Sequence, residues 1–177
     1  MEVLQGRPTD ETGRLEKEIA VYDLLDKLDI PFRRVDHVHA DTMEMCQEID
    51  QALGQDICKN LFLCNRQKTK FYLLLMPGDK PFKTKDLSAQ IGSSRLSFGG
   101  AEDMERLLNL TPGSVTVLGL MYDPDCQVTL LIDQDLYQQN AFGCHPCINT
   151  STVQFSTADF REKLLPALGH PVTLVQL

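Results

Sequence analysis

The chain of 177 residues sets 17 Lys and Arg against 25 Asp and Glu, a net charge of −8, with 42% hydrophobic and 24% charged residues. That composition belongs to a folded globular chain and excludes disorder as its main state. The acid excess excludes a broad footprint on duplex DNA, and no apolar run approaches the ~18–20 residues of a membrane helix. At this length one domain is expected, burying roughly 68–70% of the surface that the unfolded chain exposes.

Residues 1–10 are polar and read as a loose leading segment, with one domain over 11–177. The start has neither a basic stretch nor an apolar one, so it is no secretory leader, and a cytoplasmic address is expected. Leu15, Ile19, Tyr22, Leu25 and Leu28 recur at helical spacing and predict a helix over 10–28. A short extended piece over 32–36 comes next. A second helix over 42–53 should stop at Gly54. The apolar runs within 60–65 and 70–76 have strand length and suit central strands covered on both faces. Pro77-Gly78-Asp79-Lys80-Pro81 is a loop, and helices are expected over 85–91 and 101–108. A strand pair over 115–120 and 127–133 should turn at Asp123-Pro124-Asp125. Residues 139–151 read as irregular. Ser156 with Asp159 opens a helix to about residue 168, and alternation over 172–176 closes the chain as a strand. Helices and strands intermix, so the expected class is α/β, a mixed sheet flanked by helices.

Charge is unevenly spread. Lys59, Arg66, Lys68, Lys70, Lys80, Lys83 and Lys85 face only Asp79 and Asp86 within 59–86, a local excess of five positive charges. Such a region touches a few phosphates or is simply solvated. Six cysteines in a cytosolic chain this long do not form a disulfide scaffold. Cys144-His145-Pro146-Cys147 invites a thiol–disulfide reading, but the β-branched residues after it make a poor helix start, and a reactive thiol wants a helix N-terminus. Cys58 and Cys64 are spaced too widely for the usual zinc pair, so neither metal nor cofactor is expected. Lys59, at the head of a strand, is a compact charge suited to one phosphate, or a lysine snorkelling from a strand end. His145 stands between a permissive glycine and a stiffening proline, in a loop able to present donors to a ligand oxygen.

Cys58-Lys59-Asn60-Leu61-Phe62-Leu63, Lys85-Asp86-Leu87, Arg95-Leu96-Ser97-Phe98, Pro112-Gly113-Ser114-Val115-Thr116, Leu131-Ile132-Asp133, His145-Pro146 and Asn149-Thr150 form an ordered set. In order and spacing the set resembles the YbaK/ProX family of trans-editing aminoacyl-tRNA deacylases, from about residue 17 to the C-terminus. The chain is most similar to the free-standing branch. The resemblance implies a cytosolic hydrolase that cleaves alanine from mischarged proline tRNA without a metal. It implies Lys59 on the phosphate of the terminal nucleotide, Asn60 fixing backbone or sugar, and His145 near the scissile ester. Water would be held by backbone groups of the Gly113 and Gly143 loops. Val38, Ala40, Thr42 and Met43 are the expected wall of the small pocket, with Ser114 and Gly119 also on the substrate side. Val117 departs from the family's loop proline, and Tyr122 stands where asparagine is expected.

The implied logic is a size sieve: a few missing methylenes are worth only ~1–3 kcal/mol each, so a second pocket too small for proline restores accuracy. The expected partner is the acceptor end of tRNA, with prolyl-tRNA synthetase as a possible second, and neither DNA nor membrane. A deacylase for mischarged cysteine or serine, a non-catalytic acceptor-end binder and a thiol redox protein remain the alternatives.

Overall fold

The computed structural model describes residues 1–177. Its elements are β1 (Leu4–Gln5), α1 (Glu16–Lys27), β2 (Arg33–Asp36), α2 (Met43–Leu53), β3 (Lys59–Cys64), β4 (Phe71–Met76), α3 (Thr84–Ile91), β5 (Ser97–Phe98), α4 (Ala101–Leu108), β6 (Val128–Asp133), β7 (Ala141–Cys144), β8 (Ser151–Ser156) and β9 (Val172–Val175). Two 3₁₀ segments, Val117–Tyr122 and Gln134–Gln138, interrupt the second half. Between β8 and β9 runs a composite helix, with α-turns at Thr157–Asp159 and Leu165–Leu168 and a π-turn at Phe160–Leu164. The π-turn adjoins Pro166, which has no N–H to return to the ladder.

Local chemistry sets several boundaries. Thr42 caps α2 by accepting from Met45 N–H at 3.2 Å, and Gly54 ends it at φ 72°. Ser156 accepts from Asp159 N–H at 3.0 Å, the expected cap. α1 begins at Glu16 rather than residue 10, because Gly13 takes φ 81° and turns the chain before the helix can start. Residues 1–10 are not loose: Leu4 and Gln5 pair with Arg34 and Arg33 of β2, and Gly6 N–H reaches Phe32 O at 2.8 Å. An unpaired edge of β2 is satisfied in this way.

The strands make two sheets, not one. An antiparallel sheet runs β1-β2-β8-β7, and a mixed sheet runs β5-β3-β4-β6-β9, with β4/β6 and β6/β9 parallel. β4 is the centre of the mixed sheet and all six of its residues are buried. Phe71, Leu73 and Leu75 enter a core of 30 buried residues shared with α1, β7 and β8, while Tyr72, Leu74 and Met76 enter a second cluster beneath α3. Each fully buried Leu there contributes about 1.5–3 kcal/mol.

Two sequence expectations fail for one reason. Residues 115–120 do not form a strand: Val117, Leu118, Gly119 and Leu120 coil into the 3₁₀ segment and are buried. Conversely, residues 139–151 hold β7 and the start of β8, whose Phe142, Cys144, Val153 and Phe155 face the large core. Tertiary burial overrides local preference in both places.

Candidate active site

A cavity of about 230 Å³ is lined by Ile57, Cys58, Asn60, Gly113, Val115, Cys144 and His145. It lies where the head of β3, the turn before the first 3₁₀ segment and the end of β7 converge. Strand alternation puts Cys58 and Asn60 on the cavity side and Lys59 on the other. The Asn60 amide is held from two sides. Its Oδ1 accepts from Val117 N–H at 3.1 Å, and its Nδ2 donates to Cys58 O at 3.3 Å and Cys58 Sγ at 3.2 Å. The Val117 bond needs a backbone N–H, which a proline at 117 would lack. Cys58 in turn donates its thiol to Gly143 O at 3.5 Å.

His145 has a defined tautomer. Nδ1 lies 2.8 Å from Ser151 O, an acceptor only, so Nδ1 carries the hydrogen and Nε2 keeps its lone pair. Thr152 Oγ1, 3.5 Å from the same Nδ1, is 2.9 Å from His37 Nε2, and His37 Nδ1 donates to Val38 O at 2.7 Å. Burial drives the His145 pKa below the usual imidazole value; the Ser151 carbonyl opposes this and nearby His37 adds to it. The ring is therefore neutral near pH 7, with a basic nitrogen available at the cavity wall.

Gly113 takes φ 90° in its turn. A Cβ there would stand 3.1 Å from Asn149 Nδ2 and 3.9 Å from Asp41 Oδ1. Asn149 ties this corner together, accepting from Ala40 N–H at 3.1 Å and donating to Asp41 at 3.0 Å. Gly113→Ala combines the left-handed backbone with that contact. It is expected to cost about 1–2 kcal/mol of stability, read as a lowered thermal midpoint, and to slow the catalysed reaction.

The structure brings Asn60, Gly113 and His145 to one cavity and leaves the other expected residues outside it. Lys59 is one position away, and its Nζ donates to Lys80 O. Gly143 is in β7 rather than a loop, and its carbonyl is engaged by Cys58. Val38 and Met43 are 68% and 77% exposed, Thr42 is the α2 cap, and Ala40 packs on a small cluster around Val35, Ile49 and Leu53. Those four are not among the residues that line the cavity. Ser114 braces its own turn, donating to Thr111 O at 2.8 Å. Gly119 packs in the core, where a Cβ would meet Leu110 at 2.6 Å. The actual apolar wall is Ile57, Cys58, Val115 and Cys144. Ile57 and Val115 look like ordinary core residues in sequence, and Cys58 and Cys144 invite only the zinc and thiol readings, so no signal marks the four as a wall.

The thiols are poor nucleophiles. Burial pushes Cys144 and Cys147 up to about 12 and Cys58 higher still. No helix follows Cys147; a tight loop leads directly to β8. No group of three or more His, Cys, Asp or Glu is arranged to hold a metal ion. Of the basic stretch, Lys80 is committed to Asp133 and Asp135, whereas Arg66, Lys68, Lys70, Lys83 and Lys85 are exposed and enter no ion pair. A larger groove of about 790 Å³ lies beyond the Gly113 turn. Its cations are already engaged, Arg14 by Glu18 and Asp36 and Lys17 by Asn109 O.

The small cavity can take an uncharged group a few atoms across that offers both hydrogen-bonding and apolar surface. Known proteins are similar to this chain in sequence and in fold. The Prolyl-tRNA editing protein ProX of Acetoanaerobium sticklandii is 31% identical over 163 residues, covering 92% of this chain and 99% of that protein. Prolyl-tRNA synthetase associated domain-containing protein 1 of Danio rerio is 28% identical over 162 residues, 90% of this chain and 86% of its own. A solved structure described as a candidate trans-editing enzyme for prolyl-tRNA synthetase has the same fold, with a TM-score of 0.66 at 16% identity over 92% of this chain and 98% of that one. No helix is long and apolar enough to cross a membrane. The profile of the aminoacyl-tRNA editing domain matches residues 37–163, and the chain belongs to that family.

Proposed function

We propose that this protein hydrolyses alanine from mischarged proline tRNA in trans, and that its editing domain takes in β1 together with residues 11–177. The observation that supports this most is the small cavity itself, which sets the neutral His145 beside the clamped amide of Asn60. In the reaction, a water oxygen attacks the ester carbonyl carbon while His145 Nε2 takes its proton. The bond from that carbon to the ribose oxygen then breaks, and the ribose oxygen receives the proton. Alanine and free tRNA leave. Asn60 and the Gly113 turn orient the ester and the charge that develops on its oxygen. Lys59 holds the last phosphate; an ammonium has three donors, so one can stay on the Lys80 carbonyl while another reaches the phosphate. The step uses no metal, so hydrolysis should persist in chelator. The protein acts in the cytoplasm on the acceptor end, with prolyl-tRNA synthetase as the source of mischarged substrate.

The decisive experiment compares hydrolysis of alanyl- and prolyl-esters of proline tRNA, with cysteinyl- and seryl-tRNA alongside. Selective loss of the alanyl ester is expected. Equal loss of both proline-tRNA esters, or binding without turnover, would refute the reading. Because the grip is limited to the acceptor end, the salt dependence should be shallow, with a slope on the order of one to three phosphate contacts. A slope typical of a duplex binder would contradict it.

A further inference from the structure

The cavity lining combines polar Asn60 and His145 and the Gly113 turn with apolar Ile57, Cys58, Val115 and Cys144. Of the apolar lining, Cys58 and Cys144 are buried members of the large core, and Val115 packs against that core. Ile57 is built differently. It sits in the connection between α2 and β3, packs against the small cluster of Val35, Ile49 and Leu53, and is held at three points outside the cavity. Its N–H donates to Asp50 Oδ1 of α2 at 3.0 Å. Its carbonyl is so close to Gly78 that a Cβ there would come within 2.3 Å. Its γ carbons lie against Gly143, at 3.5 and 4.0 Å from where a Cβ would stand.

Gly78 is absent from the residues with positive φ, so its lack of a side chain serves clearance rather than backbone conformation. Ile is also stiff at χ1. A branched side chain whose backbone is fixed on both sides cannot recede to admit a bulkier guest, and close-packed surroundings transmit that rigidity.

We infer that Ile57 sets the upper size limit for the acyl group, with Asp50 and Gly78 as positioning residues that hold it there. This rests on the deacylase reading above. The substrate class it defines is α-aminoacyl esters with a very short side chain, the pyrrolidine ring of proline being excluded by the Ile57 γ and δ carbons.

The test measures kcat/KM for alanyl- and prolyl-esters of proline tRNA with the full chain, Ile57→Ala and Gly78→Ala. Ile57→Ala is expected to raise the prolyl-to-alanyl ratio about tenfold or more, the range that one or two methylenes command. Gly78→Ala lies outside the cavity and should shift the same ratio by displacing the Ile57 carbonyl, whereas a merely structural role would lower both rates in proportion. Should Ile57→Ala fail to fold, as judged by circular dichroism, Ile57→Val should move the ratio the same way by a smaller factor. An unchanged ratio in the folded variants, with the unaltered protein cleaving the alanyl ester, overturns the role of Ile57. An unaltered protein that leaves the alanyl ester intact overturns the deacylase reading instead.

Discussion

Replacing His145 by alanine is expected to lower kcat for deacylation by about 10²-fold or more, the usual contribution of a positioned proton acceptor. The effect should fall on kcat, because in the proposed reaction the ring takes a proton from the attacking water and does not hold the tRNA. The same substitution strips Ser151 O of its donor, an unpaired group worth about 1–3 kcal/mol, so the thermal midpoint must be measured beside the rate. The pH profile separates the two effects. A base works when neutral, and His145 is neutral above its pKa. Burial holds that pKa under the ordinary imidazole value of 6.5, so catalysis should be level through neutral pH and fall only on the acid side of 6.5. In His145→Ala the acid limb should vanish with the rate. An acid limb centred above 6.5, or a substituted protein as fast as the original, would remove His145 from the chemistry.

Lys59→Ala carries the second large effect. Hydrogen bonds to charged groups are worth about 1.5–3 kcal/mol, so kcat/KM on tRNA should fall by roughly 10- to 150-fold, most of it in KM. The salt slope should lose about 0.7–0.9, the contribution of one phosphate. Folding should hardly change, since the lysine is partly exposed and makes one bond, to Lys80 O. Lys59→Arg is not a conservative control, because the planar fork replaces a compact charge at a strand head. Full activity and an unaltered salt slope in Lys59→Ala would remove the anchor.

Much of the architecture was legible along the chain because its signals are local. Thr42 and Gly54 bracket α2 through a side-chain cap and a left-handed glycine, both visible in the letters. The unbroken apolar run of β4 announces burial on both faces, and its six residues are buried. The limits appear where residues distant in sequence decide the outcome. Val115-Thr116-Val117 has strand preference, yet Val117 N–H is taken by Asn60, 57 positions earlier, and the segment coils. The first ten residues look unattached until β2 offers its open edge to Leu4 and Gln5.

The site divides the same way. Asn60, Gly113 and His145 stand out in sequence because an amide, a glycine and an imidazole have few interchangeable substitutes in such settings, and the fold gathers them at one cavity. The pocket wall had no comparable mark. Val38, Ala40, Thr42 and Met43 are small or apolar in the right region, but Ile57, Cys58, Val115 and Cys144 line the space instead.

Residues with unusual backbone needs and the polar residues that come to line the cavity are thus readable from the chain alone, along with the family and its α/β class. Which apolar residues line the cavity follows from packing between β3, β7 and the Gly113 turn, and which nitrogen of His145 is left free follows from the Ser151 carbonyl at the head of β8. Dispersion and burial are non-directional, so many apolar residues satisfy them equally well, and contacts between distant segments make the selection.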